Sequence, residues 1–123
     1  MHVFYPFFLV FVGGGLGSIC RFALSLWLHP YALRFPWATL AANAAACLVL
    51  GLMLGWQTQQ PVTDARRLLL TTGFCGGFST FSTFTADTAQ LYAGGSPGAA
   101  VLNVAANLSI CLLCLYLGIR LTS

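Results

Sequence analysis

Residues 71–84 read TTGFCGGFSTFSTF, and they interrupt an apolar segment that extends from residue 68 to residue 92. Three glycines and a run of hydroxyl residues stand in this stretch. Glycine costs about 1 kcal/mol in a helix interior, and serine and threonine can bond the backbone locally. The composition therefore predicts a helix that breaks near Gly76 and restarts, with its own cap, near Ser79 or Thr80.

A helix broken at bilayer depth exposes polar backbone, which is tolerated only where it faces protein or trapped water. The first half-helix would end in free carbonyls, which suit a cation, and the second would begin with free amides and hydroxyls, which suit an anion. Phe81 and Phe84 would share one face, with their positively polarised ring edges available to an anion. The alternative is a helix-packing surface of small residues with core phenylalanines.

The composition is that of an integral membrane protein. Of 123 residues, 59% are hydrophobic and only 6% are charged, whereas soluble domains have about 25% charged residues. The net charge of +3 is scattered and gives no basic patch for nucleic acid. All five cysteines fall within apolar segments, which argues against a disulfide framework and favours roles as small packing residues.

We predict an all-α membrane protein with a single transmembrane domain over residues 1–123, embedded in a lipid bilayer. The third of its four transmembrane helices would be broken near 76–79. The four helices would cover residues 3–28, 37–56, 68–92 and 99–119, which places both ends of the chain on the same side.

The loop arginines set the predicted orientation only weakly. Arg66, Arg67 and Arg120 on the side of the chain ends oppose Arg34 on the other side, which slightly favours cytoplasmic ends. Such a weak bias permits insertion in both orientations. Because one broken helix cannot enclose an ion by itself, a second copy of the chain is the simplest source of the missing walls. Antiparallel pairing of the two copies would supply the inverted symmetry that larger transporters encode in one chain.

Two polar side chains in the first two spans need an explanation. Arg21 would either snorkel to the membrane interface or attract anions to a vestibule. Asn43 shares a helix face with Thr39, and it would either bond a neighbouring helix or face an ion.

The last two spans carry further polar residues. Asn103, Asn107 and Cys111 recur every four residues, so they form one ridge of the fourth helix. Asp87 lies about one turn beyond Phe84, either as a carboxylate near a pore mouth or as a solvated acid at the interface.

The run GFCGGFSTFSTF at residues 73–84 resembles the central motif of the Fluc (CrcB-type) fluoride channels. The likeness covers essentially the whole chain, including its size, its four spans, Arg21 in the first span and Asn43 in the second. The resemblance implies an antiparallel, dual-topology homodimer in the bacterial plasma membrane. Fluoride would leave the cell passively through two pores.

Carried over by position, the resemblance implies a structural sodium ion (Na+) held by the main-chain carbonyls of Gly76 and Ser79 from both copies, and no organic cofactor. Cys111 departs from the family, because it stands where a hydroxyl is common and is a weak hydrogen-bond donor. The fluoride path would be lined by Arg21, Asn43, Phe81, Ser82, Thr83, Phe84, Asn103 and Asn107.

Two other classes of membrane protein fit the pattern less well. A proton-coupled exporter of the small multidrug kind would share the four spans, but it uses a carboxylate inside the membrane, and the chain has no Glu and only Asp87 near a span end. A haem-binding membrane anchor would need histidines within the spans, and none is there. No catalytic constellation is visible, so the sequence predicts a channel and not an enzyme.

Overall fold

The computed structural model describes residues 3–31 and 35–123, and every regular element in these ranges is helical. In chain order the elements are α1 (Phe4–Trp27), a 3₁₀ turn (His29–Tyr31), α2 (Trp37–Gln59), α3 (Asp64–Arg66), a π-helix (Arg67–Cys75), α4 (Gly76–Phe78), α5 (Phe81–Ala93) and α6 (Pro97–Thr122). Three of these helices, α1, α2 and α6, are long and apolar enough to cross a membrane. The run of α3, the π-helix and α4 is continuous, and we call it the first half-helix (residues 64–78); α5 is the second half-helix.

The connection between α2 and the first half-helix is shorter than the sequence suggested. The predicted spans 37–56 and 68–92 left residues 57–67 as the connection, but α2 continues to Gln59 and helix begins again at Asp64. Thr63 explains the early start, because its hydroxyl oxygen accepts the Arg66 N–H at 3.3 Å and caps the helix. Arg34, the arginine predicted to lie on the opposite side of the membrane, is outside the described residues.

The break lies at the C-terminal end of the predicted range 76–79 and not at Gly76 itself. Gly76 is still helical, and the chain leaves the helix at Ser79 and Thr80, whose ψ angles are 156° and 117°. The Thr80 hydroxyl accepts the Thr83 N–H at 3.1 Å, so the restart has the cap that the sequence predicted. With 13 residues, α5 is too short to cross a bilayer alone, since a crossing needs about 20.

Two glycines of the first half-helix, Gly73 and Gly77, stay helical because they lie against α1. A methyl group on Gly13 of α1 would collide with the carbonyl of Leu69, and one on Gly17 would collide with the carbonyl of Phe74. Gly77 lies against the backbone of α1 in the same way. The small-residue packing surface is therefore present, and the contacts advance in the same direction on both helices, so α1 and the first half-helix are parallel.

Helices α2 and α6 form a second parallel pair. The Asn43 side chain on α2 is hydrogen-bonded to that of Asn107 on α6, 64 residues further along the chain. The same separation recurs two turns later, where Gly51 lies against the carbonyl of Leu115. Gly95, with φ of 86°, makes the turn by which α5 folds back onto α6. The break between the half-helices consequently lies beside the interface of α2 and α6.

Candidate functional site

The Asn43 side chain of α2 is hydrogen-bonded to the backbone at the break between the half-helices. The Oδ1 atom of Asn43 accepts the Thr80 N–H at 2.7 Å, and its Nδ2 donates to the Thr80 carbonyl at 3.2 Å. The same Nδ2 donates to Oδ1 of Asn107 at 3.2 Å. Asn43 therefore bonds both backbone groups of Thr80, the extended residue at the break. The helix–helix hydrogen bond that was one of two predicted roles for Asn43 is present.

This arrangement releases one particular carbonyl of the first half-helix. The Ser79 N–H still closes the last turn, donating to the Cys75 carbonyl at 2.9 Å. In a continuous α-helix the next amide, that of Thr80, would bond the carbonyl of Gly76, but here it is directed to Asn43. The Gly76 carbonyl is therefore available to another ligand, and Gly76 is exposed with open space beside it.

The next carbonyl, that of Gly77, is already occupied. The Arg21 Nε–H donates to it at 3.2 Å, and the Ser18 hydroxyl lies at 3.5 Å. Arg21, the anomalous charge of α1, is thus half-buried against the carboxyl end of the first half-helix.

A chain of amides leads from the break into the protein. The Asn107 Nδ2 donates to Oδ1 of Asn103 at 3.0 Å, and Asn103 donates to the Thr88 hydroxyl at 2.9 Å. Thr88 in turn donates to the Phe84 carbonyl at 2.8 Å. Asn103 is fully buried and Asn107 is 5% exposed. The amides of both predicted fluoride-path residues bond protein acceptors within the protomer.

A groove of about 330 Å³ opens in front of the break. Phe81 and Phe84 lie on its wall with ring centroids 5.6 Å apart, as their predicted common face requires. The Phe81 side chain is 77% exposed. The remaining lining residues are Asn43, Cys47, Ser79, Thr80, Asn107, Leu108, Cys111, Leu112 and Leu115.

The two hydroxyl residues between the phenylalanines, Ser82 and Thr83, are not among the lining residues of the groove. Ser82 is exposed, and its hydroxyl is 3.3 Å from that of Thr80. Thr83 is half-buried, and its backbone amide is engaged by the Thr80 cap. Ser82 and Thr83 therefore both contact Thr80, which lines the groove.

A smaller hollow of about 200 Å³ adjoins the groove, because Cys47 and Ser79 line both, and its other lining residues include Thr71 and Gly76. Among the described residues, Thr71 Oγ1 is the one buried side-chain oxygen or nitrogen without a hydrogen-bond partner. Within residues 3–31 and 35–123 no group of three or more His, Cys, Asp or Glu side chains is placed to bind a metal ion. Oxygens of the backbone and of Thr71 are the groups that a hard cation would meet here.

Several residues of the site were not among the predicted ones. Thr80 is the partner of Asn43, and Thr88 ends the amide chain. Thr39 donates its hydroxyl proton to Asp87 Oδ2 at 2.7 Å, which ties α2 to α5 and gives the acid a protein partner. The sequence contained a signal for these contacts between helices. Thr39 and Asn43 are four residues apart on α2, and Asn103 and Asn107 have the same spacing on α6.

The amino-acid sequence of the chain is similar to those of known proteins over most of its length. Residues 8–119 match the family described as CrcB-like protein, Camphor Resistance (CrcB). The chain is 40% identical over 118 residues to a protein of Idiomarina loihiensis named fluoride-specific ion channel FluC, covering 95% of this chain and 92% of the relative. It is 43% identical over 100 residues to a protein of the same name from Escherichia fergusonii, covering 80% of this chain and 79% of the relative.

Proposed function

Because the chain belongs to the Fluc (CrcB-type) family, we propose that it is a fluoride-selective channel through which fluoride leaves the cell down its electrochemical gradient. The observation that carries this proposal is the groove at the helix break, where two phenylalanine rings and a fixed amide stand together. Relatives named fluoride-specific ion channels support the choice of ion.

The chemistry of the groove suits a small anion. Fluoride is tightly hydrated, so a selective path must replace water with hydrogen-bond donors in a narrow bore. The ring edges of Phe81 and Phe84 offer a positive electrostatic potential but carry no formal charge. Fluoride would therefore meet no strong counter-ion that could trap it in the path. We assign to the path the groove residues Asn43, Phe81, Phe84 and Asn107. Ser82 and Thr83, which contact Thr80, and Asn103, which bonds Asn107, would contribute further polar groups. Arg21 would be the charge that concentrates anions.

A second copy of the chain would complete the path. The groove and the exposed Gly76 backbone lie on an open face of the protomer, and polar backbone at bilayer depth must be covered by protein. The two half-helices would together make the third of four crossings, since the parallel pairing of α1 with the first half-helix and of α2 with α6 fits an alternating topology. We propose an antiparallel homodimer in the bacterial inner membrane, in which inverted copies close each other's grooves.

The residues at the break also fit the structural sodium ion of the proposal. The main-chain carbonyls of Gly76 and Ser79 from both copies would hold it, because the Gly76 carbonyl has lost its helical amide and Ser79 is extended. The hollow that these residues share with Thr71 offers room and a further oxygen. A bound cation would neutralise the partial negative charge at the ends of two first half-helices and tie the copies together.

Fluoride efflux from liposomes tests the channel directly. Purified protein is reconstituted, and an electrode records fluoride release when valinomycin carries the compensating potassium. We expect rapid release that does not depend on a proton gradient and that chloride does not reproduce. Release no faster than from protein-free liposomes would overturn the proposal, and drug-dependent proton movement would indicate an exporter instead.

Removal of sodium tests the cation. The protein is exchanged into buffer in which N-methyl-D-glucamine replaces sodium, and the dimer is followed by size-exclusion chromatography and by flux. We expect a less stable dimer and slower efflux, both restored by sodium. An unchanged dimer with full flux after prolonged exchange would remove the ion from the proposal.

A further inference from the structure

Two cysteines face each other across the α2–α6 interface. Asn43 on α2 bonds Asn107 on α6 one turn before them, and Gly51 contacts the α6 backbone one turn after them. The two helices are parallel, so their registers advance together at every turn. Cys47 and Cys111, which have the same separation in sequence as the asparagines, therefore stand opposite each other between these two contacts.

The interface brings the two thiols close together. Gly51 and Gly118 let the helix backbones approach closely, because neither has a side chain in between. Cys47 and Cys111 are both free cysteines, half-buried, and both line the groove at the break.

We propose that Cys47 and Cys111 form a two-thiolate site for a soft metal ion that prefers linear coordination, of the class of copper(I), silver(I) and mercury(II). Thiolate sulfur selects soft cations, whereas sodium and other hard cations prefer oxygen. With mercuric chloride each thiol loses its proton, two sulfur–mercury bonds form, and both chlorides leave. No electron is transferred, so no oxidant or reductant is required.

The site has a consequence for conduction, which rests on the proposed function. The two cysteines share the groove wall with Asn43 and Phe81, so a metal ion bridging them occupies space beside the proposed fluoride path. We expect such an ion to block fluoride flux.

The site itself is tested without fluoride. The full-length protein in detergent receives one equivalent of mercuric chloride, and N-ethylmaleimide then labels the thiols that remain. We expect an intact-mass adduct of one mercury atom without chloride, and joint protection of Cys47 and Cys111. Cys20, which is exposed on α1, serves as the internal control and should stay fully labelled. Protection of Cys20, or of only one of the pair, would overturn the site.

Variants extend the test to conduction, each compared with its own flux before mercury. Wild-type and Cys20→Ser channels should lose most of their efflux on addition of mercuric chloride, whereas Cys111→Ser, which leaves one thiol, should form no bridged adduct and should keep its efflux. A bridged adduct with unchanged wild-type flux would overturn the block and leave the site. If the protein conducts no fluoride at all, the labelling result still decides whether the site exists.

Discussion

Arg21 donates its Nε–H to the carbonyl of Gly77 at 3.2 Å, which places a cation at the carboxyl end of the first half-helix. The carbonyls of the last turn carry the negative end of the helix dipole, and a cation is favoured there. An arginine inside an apolar helix is therefore partnered by backbone oxygen. Its positive charge remains beside the break, which fits the proposed role of Arg21 in concentrating anions.

Replacement of Arg21 by methionine should separate these two contributions. We expect the loss of a charge-assisted hydrogen bond to destabilise the protein by about 1.5–3 kcal/mol. Because the contact is partly buried, the loss of stability should persist in 1 M salt. The loss of efflux that comes from weaker attraction of anions should be seen at low salt only, because 1 M salt screens this attraction in the wild-type protein as well. Thermal unfolding and flux at low and high salt measure the two effects, with exposed Arg120→Met as the matched control. An Arg21→Met protein of wild-type stability would contradict the capping role.

Asn43→Asp should remove the two hydrogen bonds that the Asn43 amide group donates at the break. An ionised carboxylate can still accept the Thr80 N–H, but its other oxygen then faces the Thr80 carbonyl and Asn107 Oδ1 with no proton to donate. Each acceptor left without a partner costs about 1–3 kcal/mol, so we expect a lower melting temperature and nearly abolished efflux from a dimer that still forms. Thr58→Val on the same helix is the control, because its hydroxyl bonds only the nearby Gly55 carbonyl. Normal efflux in Asn43→Asp would remove Asn43 from the proposed path.

Phe81→Ile tests the ring edge as a fluoride contact. The side chain is 77% exposed in the protomer, so its loss should change the stability of the protomer little. Isoleucine is apolar but has no polarised edge, and we therefore expect efflux to be nearly abolished while the dimer persists. Phe11→Ile, with a ring 78% exposed on α1, is the matched control and should conduct normally. Equal efflux from the two variants would contradict the proposed role of Phe81.

Gly17→Ala should damage the contact between α1 and the first half-helix. A methyl group there meets the carbonyl of Phe74 and, at 2.7 Å, the amide nitrogen of Phe78, and backbone atoms cannot rotate away. We expect destabilisation by about 1–3 kcal/mol, as for other overpacked sites. Gly15→Ala has nothing within 4 Å of the new methyl group and should gain up to about 1 kcal/mol of helix propensity. Melting temperatures in detergent that fall in the opposite order would disprove this packing.

The amino-acid sequence by itself determined the membrane class and the existence of the break. Long apolar runs with few charges allow little except transmembrane helices, and the hydroxyl residues after the glycines place a helix cap at Thr80. The common face of Phe81 and Phe84 followed from helical periodicity alone. These features are local, since each depends on residues within one or two helical turns.

Only the tertiary structure decided where the break lies and what holds it. The glycines at 73, 76 and 77 argued for a break near Gly76, but Gly73 and Gly77 are committed to α1 and keep that segment helical. The position at Ser79 and Thr80 is fixed by Asn43, which is 37 residues away from Thr80 along the chain. Such a pairing depends on the register between helices far apart in sequence, and helical periodicity within one segment carries no information about that register.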